Sequence, residues 1–536
     1  MPSPSPSTDL ENHIILCGLG RLGHRVLRLL ARLGERVVIV TTETPTDWPP
    51  AGGEFQIVLG DARKEALLRQ AGLERAKAVI ITTNDDLTNV SIALDVRRLN
   101  PAIPVVVRLF DQQLGTHLEK SAGIHRALST SALAAPAFVG SALGDATNAS
   151  FEMADGICVL EKWPVAEGAP ETGKTIIEWT ASRGRTVIGL CRADSWQVGN
   201  LNSIVLQPGD VLTALRVAPR EGSARAKPGT PASSWSTFRL GLSDWWHDVP
   251  RALRVAMGVL MLVVLASVVL FHWTMNLPFV DAFYFVITTI TTVGYGDFNF
   301  MNAPVALKLY GSLLMLCGAA LLAMLFSIST DLVVSMRFRD VLTRGCCRLR
   351  GHIIIGLGNL GFRVLRELVR NGETVVAVER DVAGKYVDTA RSLAPVVLGN
   401  GRTEETLQKA GLAGAKAILA LTDDDIANLS IGLAAKRARS EVWSVLRVYD
   451  AALAEKMRTS LGVDSVLSVS AEAAGTFVGA ALGPEVLHGF VLGEFLVVIF
   501  RHPAAAATPR GSTSSNELSL EAAGVGVRWY PLRKEA

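Results

Sequence analysis

Residues 292–297 read Thr-Val-Gly-Tyr-Gly-Asp, and these types in this order suit one task, replacing the water around a small cation. The carbonyl oxygens of Thr292, Val293, Gly294 and Tyr295, with the Thr292 hydroxyl, can stand in for a hydration shell. Such carbonyls converge on one axis only when alternate residues take unusual dihedrals, which glycine adopts at low steric cost; Gly294 and Gly296 stand at alternate positions. The side chains of Val293 and Tyr295 are expected to turn away from that axis and pack on a preceding helix, with Asp297 at the outer mouth. A second set of residues suits a different ligand. Gly18, Gly20 and Gly23, and again Gly356, Gly358 and Gly361, form G-x-G-x-x-G. The first glycine of such a loop permits a tight turn, the second lets a pyrophosphate approach the backbone, and the third lets helix pack on strand. The helix N-terminus then faces the phosphates.

The six residues at 292–297 lie between two apolar segments. Val255–Phe271 and Leu309–Ile328 carry no charge, and with a few flanking residues each reaches the roughly 20 residues that cross a bilayer. Arg251 and Arg254 precede the first, and Arg337, Arg339, Arg344, Arg348 and Arg350 follow the second. By the positive-inside rule both termini are expected on the cytoplasmic side. Trp245 and Trp246 suit either a short helix on the membrane surface or an ordinary loop. Between the spans, Pro278 and Asp281 mark a helix start, and Asp281–Ile290 suits a short re-entrant helix. Irregular backbone at membrane depth is tolerated where it lines a water-filled path. Gly318 in the second span is a candidate hinge; Gly311 competes for that role, and close helix packing favours small residues anyway.

The flanking regions repeat. His13–Leu33 aligns with His352–Arg370 after one skipped residue, Val58–Asp61 with Val397–Asn400, Asn84–Asn89 with Asp423–Asn428, and Val107–Asp111 with Leu446–Asp450. The short β-rich runs Val37–Val40, Val79–Ile81 and Val105–Val107 alternate with helical patterns, which predicts βαβ order and a parallel sheet. The paired context makes both glycine-rich loops candidate dinucleotide sites. The copies differ at the ribose position. Glu379 ends a strand about 20 residues beyond the second loop, where an acid accepts from ribose hydroxyls. In the first copy Glu43 comes two residues late, and Asp61 is replaced by Asn400 in the second. Arg108 and Arg447 suit either phosphate contact or an interface salt bridge.

The chain has 536 residues, 49% hydrophobic and 19% charged, with a mean hydropathy of +0.31, a mixture that fits part membrane and part α/β protein. A formal net charge of +3 is too small to imply a nucleic-acid partner. No acidic cluster at ligand spacing points to a divalent-ion site, and no C-x-x-C pairs with histidines as a zinc site would require. The N-terminus has no basic run followed by an apolar core, so a signal peptide is not expected.

The pore segment, about Arg251 to Arg339, resembles the two-span potassium-channel family, and the repeats, about 12–145 and 351–485, resemble RCK domains (regulators of potassium conductance). The resemblance implies a multidomain fold: an α-helical two-span membrane pore domain with a re-entrant pore loop, two Rossmann-like α/β domains with parallel sheets, and a small β-rich lobe. The expected organisation is a disordered tail (1–11), a first RCK copy (12–149), its β-rich lobe (150–217), a linker (218–236) and a pore domain (237–340; spans about 252–273 and 306–330, pore loop 279–300). A second copy (351–485) and a degenerate C-terminal lobe and tail (486–536) follow. It further implies a homotetramer in the plasma membrane, potassium as permeant ion, and an adenine nucleotide (NAD, NADH, ADP or ATP) as regulatory ligand rather than substrate. The stretch Asp331–Arg350, which joins the pore to the second copy, predicts that this copy dominates gating. One copy precedes the pore, a departure from the commoner layout in which both follow it. Two alternatives remain at this stage, a membrane-tethered NAD-dependent oxidoreductase and a potassium-transporter subunit; the first lacks a substrate domain, and the second repeats its pore loop within one chain.

Overall fold

The computed structural model describes residues 11–43, 54–144, 147–152, 156–219, 251–301, 303–334, 350–449, 451–483, 485–501, 517–520 and 525–534. The N-terminal tail up to residue 10, nearly all of the 218–236 linker, Trp245 and Trp246, and residues 335–349 lie outside the described residues. The chain divides into two compact units, 228–347 and the remainder.

In the larger unit the two repeats form the same sheet. Strands β1 (Ile14–Cys17), β2 (Val37–Thr41), β3 (Phe55–Leu59), β4 (Ala78–Ile81), β5 (Val105–Arg108) and β6 (Arg126–Leu128) order as β3-β2-β1-β4-β5-β6, all parallel. Four-residue runs of Ile, Val and Leu with every side chain buried, as in β1 and β4, are what a sheet covered on both faces demands. One face is covered by α2 (Glu65–Gln70), α3 (Asp86–Leu99) and α4 (Gln112–Ser121) through Leu68, Ile92, Val96 and Leu118. The other has only α1 (Arg21–Leu33) from its own copy.

That half-covered face is completed by the other repeat. Helix α5 (Thr130–Leu143) ends the first copy. The second copy contains β12 (His352–Ile355), α10 (Asn359–Arg370), β13 (Val375–Glu379), α11 (Val387–Arg391), β14 (Val396–Leu398), α12 (Glu404–Lys409), β15 (Ala417–Ala420), α13 (Asp425–Ala438), β16 (Trp443–Arg447), α14 (Ala451–Leu461), β17 (Ser465–Leu467) and α15 (Val469–Leu482). Helix α5 packs Ala134, Phe138 and Val139 on Ile354, Leu360 and Val364 of the second copy. Reciprocally, α15 packs Ala473, Phe477 and Val478 on Ile14, Leu16 and Val26 of the first. Alanines at successive turns let each helix lie close to the neighbouring sheet. Phe138 and Phe477, both fully buried, contribute about 2–3 kcal/mol each as anchors.

Each copy is followed by an antiparallel sheet. The first comprises β7 (Thr147–Glu152), β8 (Gly156–Pro164), β9 (Thr186–Arg192), β10 (Ser195–Val198) and β11 (Val211–Pro219), with α6 (Ile176–Arg183) alongside; β7 already belongs to it. The second corrects the expectation of a degenerate C-terminal lobe. Strands β18 (Val486–Leu492), β19 (Phe495–Arg501), β20 (Glu517–Leu520) and β21 (Val525–Pro531) form a four-stranded sheet. Its inner residues Val497, Ile499 and Val527 share one core with Cys158, Leu160 and Ile188 of the first lobe. The low-complexity stretch that suggested degeneracy falls between β19 and β20, so it interrupts the lobe without ending it.

In the pore unit α7 (Arg251–Met275), α8 (Phe279–Ile290) and α9 (Val305–Val334) meet around Val264, Val268, Phe271, Phe285, Val286 and Leu314. Arg254–Met275 and Val305–Ser327 are long and apolar enough to cross a membrane. Leu262, Leu309, Leu316 and Phe326 are each more than 60% exposed, an outward apolar surface that water would not tolerate on a monomer.

Candidate functional site

Residues 292–297 leave the C-terminus of α8 directly. Asp281 lies in the first turn of α8 and Pro278 is its N-cap. Thr288 and Thr289 are buried and return their hydroxyls to the Phe285 carbonyl. The carbonyl end of α8, with its partial negative charge, therefore stands next to the candidate cation site. Thr292, Gly294 and Gly296 all have positive φ, at 61°, 49° and 87°, the alternation expected of carbonyls brought to one side. One expectation fails within the chain: Val293 and Tyr295 are 52% and 74% exposed and do not pack on their own α8. The N–H groups of Val293 and Gly294 both donate to Thr288 O, at 3.0 and 3.2 Å, and this turn presents both side chains outward. Gly318 sits against the last turn of α8: a Cβ there would lie 3.0 Å from Ile290 Cγ2. At Gly311 it would lie 2.6 Å from the Phe300 ring. Both glycines thus have a packing reason, and α9 runs unbroken through them.

The three glycines of each loop are there for three different reasons. Gly18 and Gly356 have φ of +93° and +94°. A Cβ at Gly23 or Gly361 would come within 2.3 or 1.9 Å of the carbonyl oxygen of Gly18 or Gly356. Gly20 and Gly358 are extended N-caps of α1 and α10 with room for a Cβ; the backbone alone does not require glycine there, so the requirement comes from what approaches it.

Around the first loop a cavity of about 570 Å³ is lined by Gly18, Gly20, Thr41, Glu43, Asp61 and Arg63, among others. Glu43 therefore reaches the cleft despite its late position. Arg63 donates through Nη2 to Asp61 at 2.6 Å and holds that carboxyl below its ordinary range. In the second copy Glu379 Oε2 accepts from Leu357 N–H of the loop at 2.6 Å, and Oε1 from Arg380 N–H at 2.7 Å. The Asn400 side chain cannot pair with Arg402 as an ion, and Arg402 turns to Asp424 at 3.0 Å.

Between the copies lies a cleft of about 480 Å³ lined by Arg21, Arg108 and Arg447. Arg447 is paired with Asp423 at 2.5 Å, whereas Arg108 donates to the Asn84 amide oxygen at 2.7 Å and to Thr83 O at 3.4 Å and has no ion pair among the described residues. Burial pushes the Arg108 guanidinium down, Asp86 opposes this, and Arg447 adds to it; its Nε is buried without a partner. The residues that sequence reasoning missed are Arg25 and Arg363, at matching positions two residues beyond the third glycines. Arg25 donates to Tyr449 O at 2.9 Å. Arg363 donates to Phe110 O, Ser131 Oγ and Gln112 Oε1. An arginine at one aligned position in both copies was the available signal.

The comparisons with known proteins bear on both regions. Residues 258–335 match the ion channel family, and 14–130 and 352–469 match the TrkA-N domain. The chain is an ion channel domain flanked by two TrkA-N domains. The ion channel match covers the pore unit, and the two TrkA-N matches cover the two repeats. A probable potassium channel protein 2 of Methanocaldococcus jannaschii is 26% identical over 220 residues, 38% of this chain and 63% of that protein. The voltage-gated potassium channel Kch of Escherichia coli is 28% identical over 183 residues, 33% of this chain and 43% of that protein. The chain thus spans less than two thirds of either relative. The solved GsuK channel bound to NAD superposes with a TM-score of 0.53, covering 95% of this chain and 69% of that one at 17% identity, a likeness of fold. The two TrkA-N domains and the two apolar spans agree with the multidomain fold expected from the sequence.

Proposed function

We propose that this chain is a subunit of a potassium-selective channel gated by an adenine nucleotide at its TrkA-N domains. One observation carries the reading: Thr292–Asp297 follows the carbonyl end of a short, half-buried helix between two membrane-length helices, with positive φ at alternate residues. A ring of such carbonyls selects potassium by coordination, and a single chain supplies one strand of it. A homotetramer completes the ring, and the exposed Val293 and Tyr295 then find their packing on neighbouring subunits. The arginines before the first span and after the second support a plasma-membrane protein with both termini in the cytoplasm.

Nucleotide binding follows from the glycine-rich loops. Gly18, Gly20 and Gly23, with Asp61, would hold the ligand in the first copy. Gly356, Gly358 and Gly361, with Glu379, would hold it in the second, the loop N–H groups taking the pyrophosphate. NAD, NADH, ADP and ATP share that requirement, and the solved relative that holds NAD supports it. The ligand shifts gating by its differential affinity for two arrangements of the domains. Gly318 is proposed as the point where α9 bends. The test is cation flux from liposomes containing the purified protein. Potassium flux at least a hundredfold above sodium, altered by ADP or NAD on the cytoplasmic face, is expected; equal fluxes of the two ions would refute the selectivity reading.

A further inference from the structure

A cavity of about 800 Å³ opens where α1, α5, β8, β17, α15 and β18 meet, and none of the loop glycines lines it. Its wall on α1 carries Arg25, Arg28 and Arg32, at spacings of three and four that place them on one helix face. Lys162 of β8 joins them, with Asp464 and Glu472 as the facing carboxylates. Asp464 is already held by Lys436 at 2.7 Å and by Ser444. Arg25 and Arg32 each donate to a carbonyl, and among the described residues neither has an ion pair. Arg28 has no salt bridge among the described residues.

Glu472 is the unusual member. Helices α5 and α15 align residue for residue, and the counterpart of Glu472 is Leu133, which packs on the first core. Burial pushes the Glu472 carboxyl up to about 7, with Lys162 acting in the opposite sense. His488, behind it, is pushed down by burial to about 4 and stays neutral. Near pH 7 the cavity is therefore markedly positive. The matching helix α10 is different: burial raises its own Glu367 carboxyl, against the opposing pull of Arg370 and Arg366, and Arg363 is taken up by the first copy. That side compensates itself, whereas the α1 side does not. Trp443 and Phe490 line the same cavity and add apolar faces.

We infer that this cavity is a second effector site, taking a soluble phosphorylated metabolite of nucleotide size. Its phosphates rest on Arg28, Arg32 and Lys162, and its apolar body rests against Trp443 and Phe490. An anion held there favours the protonated Glu472, so binding takes up a proton and weakens as pH rises. Binding at this site is independent of the nucleotide reading of the glycine-rich loops.

The experiment uses the full-length protein in detergent micelles with Gly20→Asp and Gly358→Asp, both sterically free, to close the loops. ADP is the probe, read by titration calorimetry. Residual ADP binding is expected, roughly fivefold tighter at pH 6.5 than at pH 8. Adding Arg28→Glu weakens it at least tenfold, while Arg28→Lys retains it, and Glu472→Gln removes the pH dependence. Absence of residual binding, or binding untouched by Arg28→Glu, overturns the inference. So does loss of binding on Arg108→Gln, which places the phosphates in the cleft between the copies. Wild-type binding unaffected by the two aspartates but lost in Arg28→Glu would instead overturn the loop reading alone.

Discussion

The two TrkA-N copies share a sheet order, a glycine-rich loop and a crossover helix, yet the clefts at their glycine-rich loops are not equivalent. In the first, Asp61 and Arg63 pair at the mouth of an open cavity. In the second, Glu379 accepts from the Leu357 N–H of the loop, and the Arg402 guanidinium pairs with Asp424 while its backbone N–H donates to Asn400 Oδ1. One carboxylate exchanged for an amide is enough to redirect an arginine, because an amide offers it no net charge. A duplicated fold thus keeps its backbone while its two sites diverge through single polar side chains.

The comparison breaks most sharply on gating. Gly358→Asp is expected to reduce nucleotide-dependent potassium flux at least tenfold, and Gly20→Asp less, because the second copy follows the pore directly in the chain. Flux that survives Gly358→Asp and is lost in Gly20→Asp reverses that ranking.

Next in size is the reciprocal interface. Arg363→Ala removes donors to Phe110 O, Ser131 and Gln112 and is expected to cost about 2 kcal/mol. Arg25→Ala, with one such bond, is expected to cost about half as much. Thermal unfolding of the two variants compares them, and equal losses would mean the interface is symmetric in energy.

Glu379→Gln is expected to weaken nucleotide binding at the second copy about tenfold, or 1.4 kcal/mol, read with the first copy closed by Gly20→Asp. An unchanged affinity would show that Glu379 serves only its own loop.

The smallest effect concerns Glu472. Its carboxyl is raised in the fold, so its contribution to stability is complete below the unfolded value near 4.5 and is lost as pH rises through about 7. Glu472→Gln should therefore leave stability at pH 4 unchanged and raise the melting temperature at pH 8 by about 3 °C. An increase at both pH values would mean that packing, not ionisation, is responsible.

Much of the fold was legible because its signals are local. Thr292–Asp297 between two uncharged runs, and glycines ahead of an amphipathic helix, are constraints on backbone shape and solvent. They act over a few residues wherever the chain goes. The strand runs Val37–Val40 and Val105–Val107 announced themselves as buried for the same reason. The C-terminal lobe was misread because its interrupting stretch is rich in Ala, Pro and Ser and repetitive, while the strands on either side of it find their cores against the first lobe and against α15 and the first repeat.

By its own residues, then, the sequence determined the two apolar spans, the Thr292–Asp297 segment between them, the two glycine-rich loops and the inequality of Glu379 and Glu43. Tertiary structure alone decided that α5 and α15 change places, that Arg25 and Arg363 cross the interface, and that Arg28, Lys162 and Glu472 share one cavity. Those residues lie more than a hundred positions apart in the chain. Apolar patterning specifies that a face must be covered, and only the assembled fold specifies which helix covers it and which charges are left facing one another.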